Sequence, residues 1–265
     1  MPKIVSSGKC RLCNQLIGKP QMTTHLKTCI KRNTATPAQG AKTARCFHVV
    51  VGATYDPAYW LHLEAPADVT FGRLDRMLRD IWLECCGHMS AFRFPRQRVR
   101  PTSPRGFAQM LKAFAHDGFE DELEDEQQMM GERLGKRLHP GVKLDYEYDF
   151  GSTTHLTLRV LDEYSSSLPK PKIRLLARNE PPDIPCAQCG KPATQVCVQC
   201  EGGTPMCDPC AAEHECGEEM LLPVLNSPRA GVCGYCGPSV EPRVCPARRG
   251  GWIRKHLRST ASGRG

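Results

Sequence analysis

The chain has 265 residues, 40% of them hydrophobic, which allows one domain of ordinary size with a real core beside small modules that apolar burial alone could not hold. Its formal net charge of +8 is unevenly placed: residues 1–46 carry nine Lys or Arg and no acid, residues 241–265 carry seven against one Glu, and the middle is net acidic. No run of about 18 apolar residues could span a bilayer, and the opening MPKIVSSGKC lacks the apolar stretch of an export signal, so the expectation is a cytoplasmic chain with no membrane role. In that reducing compartment sixteen cysteines point to metal rather than to a disulfide framework.

The first element in the chain is GKCRLCNQLIGKPQMTTHLKTCIKR. Cys10 and Cys13 form a Cys-x-x-Cys pair, eleven residues intervene before His25, and three more precede Cys29. His25 and Cys29 would lie one helical turn apart and face one ion, with Leu16 and Met22 as the small core. The spacing resembles a single zinc finger of the two-cysteine, two-histidine class whose last histidine is cysteine, and residues 1–33 are assigned to it. Lys9, Arg11, Lys27, Lys31 and Arg32 surround the ligands without an acid, a surface suited to weak, salt-sensitive contact with a nucleic-acid backbone. Residues 34–45, rich in Thr, Ala, Pro and Gly, read as a linker.

From Cys46 the pattern becomes that of a packed domain, assigned to 46–180. FHVVVGA and YWLHLEA read as strands separated by the turn TYDPA. Leu74, Met77, Leu78, Ile81 and Trp82 then fall on one helical face, with Thr70 as N-cap. Cys85 and Cys86, adjacent at the helix end, read as packing residues. HMSAFRF is a further strand. The segment 95–142 reads as a loop (PRQRVRPTSPRG), a short helix (FAQMLKAFA) and an acidic surface stretch (DGFEDELEDE). Residues 143–150 and 155–161 alternate with period two and should form a hairpin, with Tyr146, Tyr148 and Phe150 on one face and Gly151 permitting the turn. Residues 173–176 add a strand before the boundary EPPDIP. Strands and helices mix without regular alternation, so the fold class is α+β. His62, His88 and His155 with Asp145 and Asp149 could converge into a hydrolytic or nuclease pocket, although separate burial of each histidine is the plainer expectation, and no catalytic residue is assigned.

The cysteine-rich segment, assigned to 181–238, runs CAQCGKPATQVCVQCEGGTPMCDPCAAEHEC. Cys186, Cys189, Cys197, Cys200, Cys207, Cys210, His214 and Cys216 supply eight ligands, enough for two closed tetrahedral sites that support the fold and do no chemistry. An interleaved assignment gives Cys186, Cys189, Cys207 and Cys210 to one ion and Cys197, Cys200, His214 and Cys216 to the other. That plan resembles the cross-braced B-box, MYND and HIT modules, which implies a protein partner. Seven acids against two bases in residues 181–240 would repel a phosphate backbone. Cys233, Cys236 and Cys245 could replace a weaker ligand, form a third site here with His256, or stay idle, so two to four zinc ions are expected per chain. Residues 239–265 form a basic tail.

Three stretches of the central domain, LEAPADVTFGRLDRMLRDIW, GHMSAFRF and KLDYEYDFGSTTHLTL, resemble the plasmid pRiA4b ORF-3-like family, also described as the TnpR-type passenger protein of an insertion element. The resemblance covers residues 46–176 and implies a compact α+β domain with no assigned activity. Here Asp149, Phe150 and Gly151 are followed by Ser152, Thr153 and Thr154 before His155, where many members carry further acids and a tryptophan. The loop is shorter and lacks those polar and aromatic groups, which weakens any catalytic use of it in this chain. The sequence favours a non-enzymatic zinc-binding interaction protein of mobile-element type, with nucleic acid and a protein as partners. The alternatives are a nucleic-acid-processing enzyme with a His/Asp pocket, or a pure protein adaptor.

Overall fold

The computed structural model describes residues 6–34, 43–95, 128–166, 172–200 and 202–237. The loop, helix and acidic stretch expected across 96–127, and the basic tail with Cys245 and His256, lie outside the described residues. Strands and helices are mixed, as the irregular alternation of patterns requires, and the fold is α+β.

Eight strands form one antiparallel sheet: β1 (Ser7–Cys10), β2 (Leu16–Gly18), β3 (Ala44–Ala53), β4 (Trp60–Pro66), β5 (Ser90–Arg93), β6 (Lys143–Tyr148), β7 (Thr154–Ser166) and β8 (Arg174–Asn179). Their spatial order is β2-β1-β8-β4-β3-β7-β6-β5. The longest strands, β3 and β7, occupy the middle, and the expected hairpin appears as the pairing of β6 with β7 from Lys143↔Arg159 to Tyr148↔Thr154. Period-two alternation sends Phe47, Val49, Val51, Leu61, Leu63, Leu158 and Val160 into one core, where all are fully buried. Helix α2 (Phe71–Leu78) seals that face with Phe71, Leu74 and Leu78, and Thr70 caps it by accepting a hydrogen bond from the Arg73 N–H. The α-helix is shorter than its apolar period suggested. It passes into a π-helical turn, Arg79–Leu83, which rotates Trp82 and Leu83 into the core together.

The opposite sheet face is covered from the N-terminus. Helix α1 (Lys19–Thr34) packs Met22, Leu26 and Ile30 against Trp60, Leu176 and Ala177. Strand β1 pairs with β8, so the first cysteine and histidine stretch shares the central sheet. Gly8 allows this close approach: a Cβ there would stand 2.4 Å from the Trp60 ring and from the Arg178 carbonyl oxygen. Leu16, expected in the small core, is instead 63% exposed; Leu26 and Ile30 take that place because α1 turns them toward the sheet.

A second sheet of three short strands, β9 (Gln195–Cys197), β10 (Thr204–Met206) and β11 (Leu221–Pro223), has the order β10-β9-β11. Two short helices, α3 (Leu134–Arg137) and α4 (Asp208–Ala212), lie in sequence between strands of these sheets. No helix among the described residues is long and apolar enough to cross a membrane.

Candidate metal centres

Four groups of four Cys/His side chains bring their ligand atoms within 4.8 Å of one another. Four sulfurs about 2.3 Å from a central ion define a tetrahedron with edges of about 3.8 Å, and replacing one sulfur by an imidazole nitrogen shortens its edges to about 3.6 Å. The donor spacings can be judged against that figure.

The first group is Cys10, Cys13, His25 and Cys29, as the spacing predicted. Cys10 ends β1, Cys13 lies in the tight turn that Asn14 closes at φ 62°, and α1 presents His25 and Cys29 one turn apart. The Cys10–Cys29 sulfurs are 3.9 Å apart and Cys13 Sγ stands 3.3 Å from His25 Nε2, close to the tetrahedral edges. The Gln15 N–H lowers the Cys13 thiol below its ordinary value, favouring the ligating thiolate.

The cysteine-rich segment builds two groups in the interleaved order. Cys186, Cys189, Cys207 and Cys210 form one, with Cys189 and Cys207 sulfurs 3.5 Å apart. Cys197, Cys200, His214 and Cys216 form the other, with Cys200 Sγ 3.4 Å from His214 Nε2 and 3.9 Å from Cys216 Sγ. Crossing arises because β9 carries Cys197 between the two halves of the first group, while α4 places Cys210 back against it. Backbone N–H groups of Cys189 and Cys207 point at the Cys186 sulfur and bring its thiol down to about 6. Burial pushes the Cys197 thiol up, but the N–H groups of Cys200 and Gln199 outweigh it and bring the thiol down to about 7. Such turns prepare a thiolate before any ion arrives.

The fourth group, Cys85, Cys86, His88 and Cys233, corrects two expectations. Cys85 and Cys86 are not merely packing residues, and Cys233 does not join Cys236. The helical turn ends at Glu84, which is extended, and Gly87 at φ 77° folds the chain back, so adjacent cysteines turn both sulfurs to one point 3.8 Å apart. Cys86 Sγ lies 3.6 Å from Cys233 Sγ and 2.9 Å from His88 Nε2, and that nitrogen is 3.1 Å from Cys233 Sγ. The half-buried Cys236 packs against Leu222 instead. The signal for this group lay in CCGH at 85–88 together with an unassigned cysteine at 233. It was missed because residues neighbouring in sequence ordinarily point apart, and a π-turn has no sequence period that reveals it.

All four groups gather four donors, four thiols in one and three thiols with an imidazole in the other three, near tetrahedral spacing although the His88 edges of the fourth are shorter, so each can hold a metal ion and would leave no position for a reacting water. The proposed His/Asp pocket does not assemble as a set. His62 Nδ1 meets His48 Nε2 at 2.9 Å in a buried pair, His155 contacts Glu147 at 3.7 Å, and Asp145 accepts a hydrogen bond from Thr157. Only His88 and Asp149 come together, at 3.5 Å, and His88 belongs to the fourth group. Asp149 itself is the left-handed residue of the turn at φ 66°; Gly151 is not, and Phe150 is 40% exposed instead of sharing the buried face of Tyr146 and Tyr148. Asp149 tolerates that geometry because its own carboxylate accepts the Gly151 N–H at 3.1 Å. Burial opposes its ionisation, but Arg229 and the Ser152 and Gly151 N–H groups hold it below the usual carboxylate range.

The basic residues expected at a nucleic-acid surface, Lys9, Arg11, Lys27, Lys31 and Arg32, are all exposed, with Lys27 and Lys31 one turn apart on α1. Lys19 is committed elsewhere, donating to the Pro57 carbonyl at 2.6 Å.

No family model matches this chain, and no curated protein matches it. Among solved structures, a protein of unknown function, MM3350 from Methanosarcina mazei Go1, is similar at 12% identity over 50% of this chain and 69% of that one, with a TM-score of 0.34. So distant a likeness carries no argument about fold or chemistry.

Proposed function

We propose that the chain is a non-enzymatic, zinc-stabilised interaction protein, cytoplasmic, whose central α+β domain is of the pRiA4b ORF-3-like, mobile-element type. The observation that carries this reading is the closure of the metal groups: each has four protein donors, three or four of them sulfur, the set that suits structural Zn²⁺. Metal that is fully ligated holds surfaces in place and leaves recognition to the side chains around it. The basic residues around the first group contact a nucleic-acid backbone, and the acidic cysteine-rich module contacts a protein. The reading is tested by elemental analysis of the purified full-length chain, with zinc expected at four ions per chain. Absence of bound metal from protein prepared without chelator would end it.

The nucleic-acid part has its own test. Binding to duplex DNA or RNA should weaken as salt rises, and Lys27→Glu with Lys31→Glu should reduce the slope of log affinity against log salt by roughly two. Affinity indifferent to salt would leave a protein adaptor.

A further inference from the structure

The fourth metal group is built unlike the other three. Cys10 and Cys29 are 19 residues apart, Cys189 and Cys207 are 18, and Cys200 and Cys216 are 16, so each of those groups closes within one short stretch. Cys86 and Cys233 are 147 residues apart. Closing the longer loop costs roughly 20-fold in effective ligand concentration, so this group forms only when the segment around Cys233 is docked on the central domain.

The docked segment places a guanidinium beside the metal group. Arg229 has no exposed surface, stacks 4.8 Å over the Tyr148 ring, donates to Asp149 at 2.6 Å, and donates to Thr154 Oγ1 and the Ser152 carbonyl at 3.0 Å each. Its charge also interacts with the Cys85 side chain. A buried Arg–carboxylate pair returns little net free energy after desolvation. Three thiolates and a neutral imidazole around a divalent ion would carry one net negative charge, which a nearby guanidinium offsets. The Arg229 side chain is therefore placed where the outer shell of a thiolate-rich metal centre needs a cation.

Resting on the metal-binding reading above, we propose that a zinc ion held by Cys85, Cys86, His88 and Cys233 is a clasp that fastens residues 227–237 to the central sheet, so that filling this one site couples the cysteine-rich module to the eight-stranded domain. The other three ions fold their own segments. This one joins two parts of the molecule, and its loss loosens the joint while leaving both parts folded.

Trypsin reads the clasp directly, because Arg229 is the only Lys or Arg between Lys191 and Arg243 and is fully buried when docked. In the full-length zinc-loaded protein, Cys233→Ser should hold one ion fewer than the parent and be cut after Arg229 at least about tenfold faster. Cys233→His, which restores a ligand, should return both to parental values. An unchanged ion count in Cys233→Ser, or an unchanged rate of cleavage, overturns the clasp. If Cys233→Ser is insoluble, alkylation of the native parent protein decides: Cys86 and Cys233 protected until zinc is chelated supports it, and equal modification before and after chelation overturns it. A parent chain with no metal at all would remove the general reading as well, whereas three ions with Cys86 and Cys233 open to alkylation would remove the clasp alone.

Discussion

Two histidines at the back of the sheet set a pH limit on the molecule. His48 and His62 are held in contact beneath α1, and the β-bulges at His48/Val49 and His62/Leu63 fall at these two positions. Burial lowers His48 to about 4, with Asp162 opposing and Lys27 assisting; burial, then His48, then Lys19 lower His62 to about 3. Both are neutral in the folded chain and would bind protons in the unfolded chain below about 6.5, so stability is intact above that pH and is lost as pH falls through it. The loss should approach 1.4 kcal/mol per pH unit for each histidine between about 6 and 4. Urea unfolding across this range should show it. Replacing the pair together by leucine should flatten the slope, separating it from proton competition at the metal ligands. At the same scale, Asp149→Asn keeps the left-handed turn but strands the Arg229 charge, and should cost about 3–5 kcal/mol in chemical unfolding. Neither residue was legible in this role from sequence: a histidine in an alternating strand has the same pattern whether its neighbour across the sheet is histidine or valine, and Asp149 waits for a partner 80 positions away.

At the scale of elements, the joint between α1 and the sheet rests on few side chains. Met22, Leu26 and Ile30 fill the space over Trp60, whose indole N–H donates to Ser6 at 2.9 Å and whose backbone N–H donates to Asn179. Leu26→Ala should destabilise by about 2–4 kcal/mol, read from the denaturant midpoint at unchanged slope. Gly8→Val should do more local damage, because its side chain collides with the Trp60 ring and the Arg178 carbonyl; amide exchange in β1 should accelerate while β3 and β7 remain protected. The same tyrosines that marked the central domain in sequence have a structural use here. Tyr146 donates to Asp75 at 2.7 Å and Tyr148 to Glu84 at 3.4 Å, which ties strand β6 to α2 and to the end of the π-turn just before Cys85 and Cys86.

At the scale of the whole molecule, apolar burial is unevenly shared between the parts. The core on the α2 side holds Phe47, Phe71, Trp82, Tyr146 and many aliphatic side chains, enough to stand on burial. The cysteine-rich module has Cys186, Cys197, Met206, Cys207, Ala211 and Leu221 as its buried core, half of them members of the candidate metal groups. Chelation should therefore abolish amide protection in β9, β10 and β11 while β3, β4 and β7 keep theirs, and readdition of zinc should restore it. Uniform loss of protection throughout would show that the two parts stand or fall together.

The sequence by itself determined what short-range geometry dictates. The Cys-x-x-Cys pairs and the first donor set follow from tight turns and one helical turn between His25 and Cys29, the crossed sharing of the later pairs was expected only from the likeness to cross-braced modules, and the strands and the Thr70 cap follow from period and local hydrogen bonding. Only the tertiary structure decided how the parts meet: that β1 extends the central sheet, that α1 covers Trp60, and that Cys233 completes a group begun at Cys85. Those contacts depend on which distant surfaces are complementary, and local periodicity carries no information about a partner 147 residues away.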